Sequence, residues 1–233
     1  MTSQIHPRPR LPLAVAFGLA AVALAPAASA QLISFDQVYV DDSYTQGAGV
    51  LGSAGTFWNE FSNDNSASNQ SLIDETGAVS AVTVSYIHNH TLANLGPTGQ
   101  FAKLGIGAVG TGPVTIGGLA PGLAYDLVIY AAWDGIPSFT VGVVTETLPG
   151  YTTDWSVLTE GVNYLQFRPR ASVDGTVTFT SNANPTAGIP LTAWSAFQIQ
   201  PAAVPEPAEY VCVFGLLSLG AGAWLRRRQS SAA

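Results

Sequence analysis

Val114-Thr115-Ile116-Gly117-Gly118-Leu119-Ala120-Pro121-Gly122-Leu123-Ala124-Tyr125-Asp126-Leu127-Val128-Ile129-Tyr130-Ala131-Ala132-Trp133 is the stretch that decides the fold. A β-branched run stops at Gly117-Gly118, Pro121-Gly122 follows, and a second apolar run opens at Tyr125. Both runs are of strand length and rich in β-branched or aromatic residues, and Pro-Gly is turn chemistry. The stretch therefore predicts strand, turn, strand.

The same grammar extends in both directions. Val79 to Ile87 alternates, with Val82, Val84 and Tyr86 on one face. Phe139 to Thr145 carries Phe139, Val141 and Val143 at period two, and Tyr164 to Arg168 is closed by Pro169. Asp174-Gly175 turns into Thr176 to Thr180, with Val177 and Phe179 pointing one way. The last run, Thr192 to Ile199, puts Trp194, Ala196 and Gln198 on one face and Ser195, Phe197 and Ile199 on the other. Asn63 to Ser71 is polar and does not alternate, so it predicts a surface loop. Eight or nine short strands and no helical period between the chain ends define an all-β chain, an antiparallel β-sandwich that is jelly-roll-like.

The ends read differently. Arg8 and Arg10 precede an apolar stretch from Leu11 to Ala25, and Ala28-Ser29-Ala30 offers small residues before Gln31. That is the pattern of a signal peptide, residues 1–30, cut by signal peptidase to leave Gln31 first. At the other end Tyr210 to Leu225 has no charge and is followed by Arg226, Arg227 and Arg228. As a helix it would span about 24 Å, and a thinned bilayer or snorkelling flanks would absorb the shortfall. The arginines place residues 226–233 in the cytoplasm and everything before Tyr210 outside. Residues 31–200 are thus expected to be the sandwich, 201–209 a Pro-rich linker, 210–225 a single transmembrane helix and 226–233 a basic tail.

Between the two ends the charge is one-sided. Gln31 to Ala203 holds Lys103, Arg168 and Arg170 against thirteen acidic residues, a net charge of −10. Such a domain repels phosphate backbones, which excludes nucleic acid as a partner. The sole cysteine, Cys212, lies in the apolar tail, leaving the domain without a disulfide or a thiol nucleophile.

Candidate chemistry is sparse. His88 and His90 share a strand face if extended, but no further histidine follows Arg10 to complete a metal set. Asp36, Asp41 and Asp42 lie near the mature start, where carboxylates and backbone carbonyls can hold a structural calcium, although no calcium-loop motif is present. Glu60, Asp134, Glu146, Asp154 and Glu160 are available for paired-carboxylate glycoside hydrolysis, with nothing in the spacing to single out a pair. No Gly-x-Ser-x-Gly elbow and no phosphate loop occurs. Trp133 beside Asp134 and Trp155 beside Asp154 are the aromatic and carboxylate pairs expected in loops, where a sugar ring can stack on an indole and bond a carboxylate.

Two resemblances bear on these readings. Pro205-Glu206-Pro207, the apolar run and Arg226 to Arg228, in that order at the C-terminus, resemble the PEP-CTERM sorting signal. That resemblance implies recognition by an exosortase and cleavage near the tripeptide. It also implies export as a membrane-anchored precursor, then release or transfer to the cell surface, envelope or extracellular matrix. Trp58-Asn59, Leu119 to Leu127, Asp174-Gly175 and Ala196-Phe197-Gln198-Ile199 look like the galactose-binding-like jelly rolls carried by such proteins. The expectation is a non-catalytic binding or structural module for extracellular polysaccharide, against the alternative of a glycoside hydrolase on the same fold and of a retained membrane anchor.

Overall fold

The computed structural model describes residues 31–38, 46–62, 66–87, 98–105, 112–131, 136–150, 153–182 and 194–203. The leader with Ala28 and Ala30, and residues 204–233 with Pro205, Glu206, Pro207, the apolar run and Arg226 to Arg228, lie outside them. No helix among the described residues is long and apolar enough to cross a membrane.

Eleven strands run through the described residues: β1 (Ile33–Val38), β2 (Asn59–Ser62), β3 (Ala67–Ile73), β4 (Val79–Tyr86), β5 (Gly112–Gly117), β6 (Tyr125–Ala131), β7 (Ser138–Val141), β8 (Val144–Thr147), β9 (Tyr164–Phe167), β10 (Val177–Asn182) and β11 (Trp194–Pro201). They build two sheets, ordered β2-β1-β11-β6-β9 and β3-β4-β5-β10-β7-β8. Every pairing is antiparallel except β1 with β2. The sheets make the expected β-sandwich, and its core draws on both: Phe35, Leu127, Ile129 and Phe197 from one, Val84, Ile116, Phe139 and Phe179 from the other.

The deciding stretch folds as β5, a turn at Pro121-Gly122, and β6. The two strands lie in different sheets, so the turn crosses the sandwich. Leu119 is buried at the crossing, and the Ala120 amide donates to the Tyr125 hydroxyl at 2.8 Å, fixing the corner.

The five-stranded sheet is buried on both faces. Leu127 and Ile129 of β6 enter the main core, while Val128 and Tyr130 join Trp58, Leu104, Trp155 and Ala196 in a second cluster. Residues 46–58, 98–105 and 153–158 roof this outer side. Two parts of the roof are tied by backbone bonds: Thr98 N to Thr153 O, Trp155 N to Thr98 O (both 2.7 Å) and Phe101 N to Trp155 O (3.1 Å). Gly99 is required there, because its φ is 109° and a Cβ would come within 2.4 Å of the Ser156 nitrogen. A strand covered on both faces reads as a continuous apolar run, which is why Leu127 to Ala131 shows no alternation.

Four expectations are corrected. Phe139 to Thr145 is not one strand: the chain turns at Gly142, with φ 62°, and Val143 is fully exposed at the tip of the β7–β8 hairpin. Asn63 to Ser71 is not all loop, since β3 begins at Ala67 as an edge strand with two register shifts. The linker does not begin at Pro201, which pairs with Tyr125, while the Ala202 amide bonds to Ala124 O. Finally, the faces of the last strand are split by a bulge between Trp194 and Ala196. One extra residue moves Trp194 to the core side with Phe197 and Ile199. There the indole meets Phe179 and Tyr86 edge-on, at 5.5 and 5.6 Å between ring centres. Such pairs add about 0.5–1.5 kcal/mol each beyond their burial.

Candidate functional site

Among the described residues none roofs the outer face of the six-stranded sheet, and the sequence dictates its chemistry. In β4, β5, β7 and β10, core residues alternate with Thr83, Ser85, Thr115, Thr140, Thr178 and Thr180, which pleating turns to the opposite side. The registers then line hydroxyls across strands: Ser85 faces Thr115, Thr115 faces Thr178, and Thr180 faces Thr140, which faces Thr145. Thr115 and Thr178 hydroxyls lie 3.2 Å apart, Thr140 and Thr145 hydroxyls 2.8 Å, and Asn182 Nδ2 donates to Thr140 Oγ1 at 2.7 Å. The rows repeat at about 4.8 Å between strands and about 6.7 Å along them.

Glu146 is the one charged residue in these six strands. It is in register with Phe139, on the side away from the threonines. In a region whose net charge is −10, the described strand residues of this open face are therefore uncharged and carry hydroxyl, amide and small apolar groups. The Thr-x-Thr and Thr-x-Ser spacing was the available sequence signal, at Thr83-Val84-Ser85 and Thr178-Phe179-Thr180 around apolar residues and at Thr145-Glu146-Thr147 around a carboxylate. It attracts no notice strand by strand, since only the register assembles it into a surface.

The residues singled out from sequence fare differently. Trp155 is corrected as a sugar platform: its side chain is 0% exposed in the second cluster and presents no face to a ligand. Asp154 is exposed, and its Oδ1 accepts from the Ser156 amide at 2.9 Å. That bond closes a local turn and holds its pKa below the usual carboxylate range. Trp133, Asp134, His88, His90, Asp41 and Asp42 lie outside the described residues. Of the other tryptophans, Trp58 and Trp194 are buried.

Asp36 is on β1 with its carboxyl buried and no well-formed hydrogen bond to either oxygen, the Gln37 amide being near but poorly aligned. It stands in register with Glu60 of β2. Burial first, then the Glu60 charge, raises its pKa well above the usual value, while the Gln37 amide and Lys103 pull the other way. Among the described residues no three His, Cys, Asp or Glu side chains gather as metal ligands.

No protein-family model matches the chain, and comparisons with curated proteins and with solved structures return no match.

Proposed function

We propose that the chain is an exported cell-envelope or matrix protein whose β-sandwich is a non-catalytic module that binds neutral polysaccharide through the hydroxyl face of its six-stranded sheet. The observation that carries this reading is that face itself, uncharged and ordered within an acidic domain. Rows of hydroxyls offer both donors and acceptors to sugar hydroxyls, and threonine methyls pack against the C–H faces of the rings. An uncharged polymer escapes the repulsion that a net charge of −10 imposes on acidic polysaccharides.

The export route rests on the sequence at the two ends: a leader for signal peptidase, then Pro205-Glu206-Pro207, the apolar run and Arg226 to Arg228 for an exosortase. The finer fold reading is a jelly roll. The strand sets β1-β11-β6-β9 and β5-β10-β7-β8 support it, because they follow the order that two interlocked Greek keys produce. β2 and the β3–β4 hairpin are additions to that frame.

The test is retention of the purified secreted form on insoluble neutral and acidic polysaccharides, with reducing-end release scored separately. Retention on the neutral polymers without release is the expected result. Release at enzymatic rates would replace the reading with a glycoside hydrolase, and absence of retention on every polymer would remove the polysaccharide.

A further inference from the structure

A groove of about 550 Å3 opens where the described chain ends, lined by Leu123, Ala124, Arg168, Arg170 and residues 201–203. Two of the three basic residues between Gln31 and Ala203 therefore stand together at the point of chain exit. Arg168 Nη2 donates to the Ala203 carbonyl at 3.2 Å, and its Nε lies 3.6 Å from Asp126 Oδ1. Arg170 Nη1 donates to Gly122 O at 3.1 Å. Each guanidinium has five N–H donors, so both keep capacity for an anion.

The nearest anions in the sequence belong to the chain itself. Val204-Pro205-Glu206-Pro207-Ala208-Glu209 follows Ala203 directly. Glu206 is three residues on, within about 11 Å of Ala203 even when fully extended. So short a tether gives the carboxylate an effective concentration at the arginines of about millimolar or more, ahead of any dilute competitor. Leu123, 46% exposed, supplies an apolar wall suited to proline rings.

We propose that this groove seats the chain's own segment 204–209, with the Glu206 carboxylate against Arg168 and Arg170 and the flanking prolines against Leu123. The Pro-Glu-Pro tripeptide is then presented from the domain surface, so its access to a processing enzyme depends on the folded domain as well as on the tail. The seat does not require any particular enzyme to act on it.

The test is cross-linking within the full chain in detergent, in a Cys212→Ser background with Leu123→Cys and Ala208→Cys. Disulfide formation should be rapid, and slower by about two- to fivefold with Arg168→Met and Arg170→Met, the range of exposed charge pairs. Arg170→Glu alone should slow it likewise, and Arg170→Glu combined with Glu206→Arg should restore it. Equal rates in all these proteins would overturn the proposal. So would slowing that the exchanged pair fails to reverse, which would make the groove a seat for some other anion.

Discussion

The hydroxyl of Tyr130 donates to Oε1 of Gln198 at 2.6 Å, joining β6 to β11 on the roofed face of the five-stranded sheet. The same hydroxyl accepts from the Val50 amide at 2.7 Å, and the Gln198 amide bonds to both Ser34 Oγ and Leu51 O. A buried polar pair thereby anchors the 46–53 segment. Tyr130→Phe removes the partner of a part-buried amide and should cost about 1–3 kcal/mol. At about 2–4 °C per kcal/mol for a domain of this size, thermal melting should drop by several degrees. An unchanged melting temperature would mean that the roof does not depend on this pair.

Asp36 predicts an unusual pH response. Its folded pKa is raised above the unfolded value, so the fold favours the protonated acid. That contribution is complete below about pH 4, the unfolded carboxylate value, and is lost as pH rises through the folded value. Asp36→Asn should raise the melting temperature at neutral pH, by the equivalent of about 1–3 kcal/mol, and show no gain below pH 4. Other carboxylates titrate in both proteins, so the difference between the two melting curves isolates Asp36. A uniform offset at every pH would refute the assignment.

Trp155 should behave as core. Trp155→Ala empties a fully buried site and should cost about 3–5 kcal/mol, in the range of large aromatic deletions. Trp155→Phe should be milder and leave polysaccharide retention intact. Retention abolished in a Trp155→Phe protein that melts normally would return the indole to the binding surface.

The hydroxyl face predicts separable effects on stability and binding. Thr115→Val with Thr178→Val removes two half-exposed hydroxyls and should change stability by under about 0.5 kcal/mol per site. Retention on neutral polysaccharide should fall in that variant and vanish with Thr178→Asp. Full retention in both, measured on the same polymers, would move the binding site elsewhere.

The tail carries its own prediction. Neutral replacements at Arg226, Arg227 and Arg228 remove the charge bias that orients the apolar run. Uncleaved or fully secreted precursor should accumulate, visible by size and fraction on immunoblots. Processing and location identical to the parent would count against the sorting reading.

How much of the molecule could be read in advance follows from the range of the forces involved. Alternation at Val82, Val84 and Tyr86, and the turns at Pro121-Gly122 and Asp174-Gly175, are local effects of pleating and φ, so they were legible. The bulge at Ser195 was not, because it arises where β11 meets β6 and where the Ser195 hydroxyl reaches Leu104 O, ninety-one residues away in sequence. Trp155 looked like a loop aromatic for the same reason. Its burial depends on the Thr98 to Phe101 segment bonding to its backbone, and neither segment signals the other.

The sequence by itself determined the all-β class, the acidic charge between Gln31 and Ala203 and the positions of several turns, since each depends on residues within one strand or on a simple sum. Only the tertiary structure decided which tryptophans are core, that the arginines at 168 and 170 meet the exit at Ala203, and that scattered threonines form one uncharged face. Those outcomes depend on strand order and register, which are set by the packing of both sheets at once and leave no mark on any single strand.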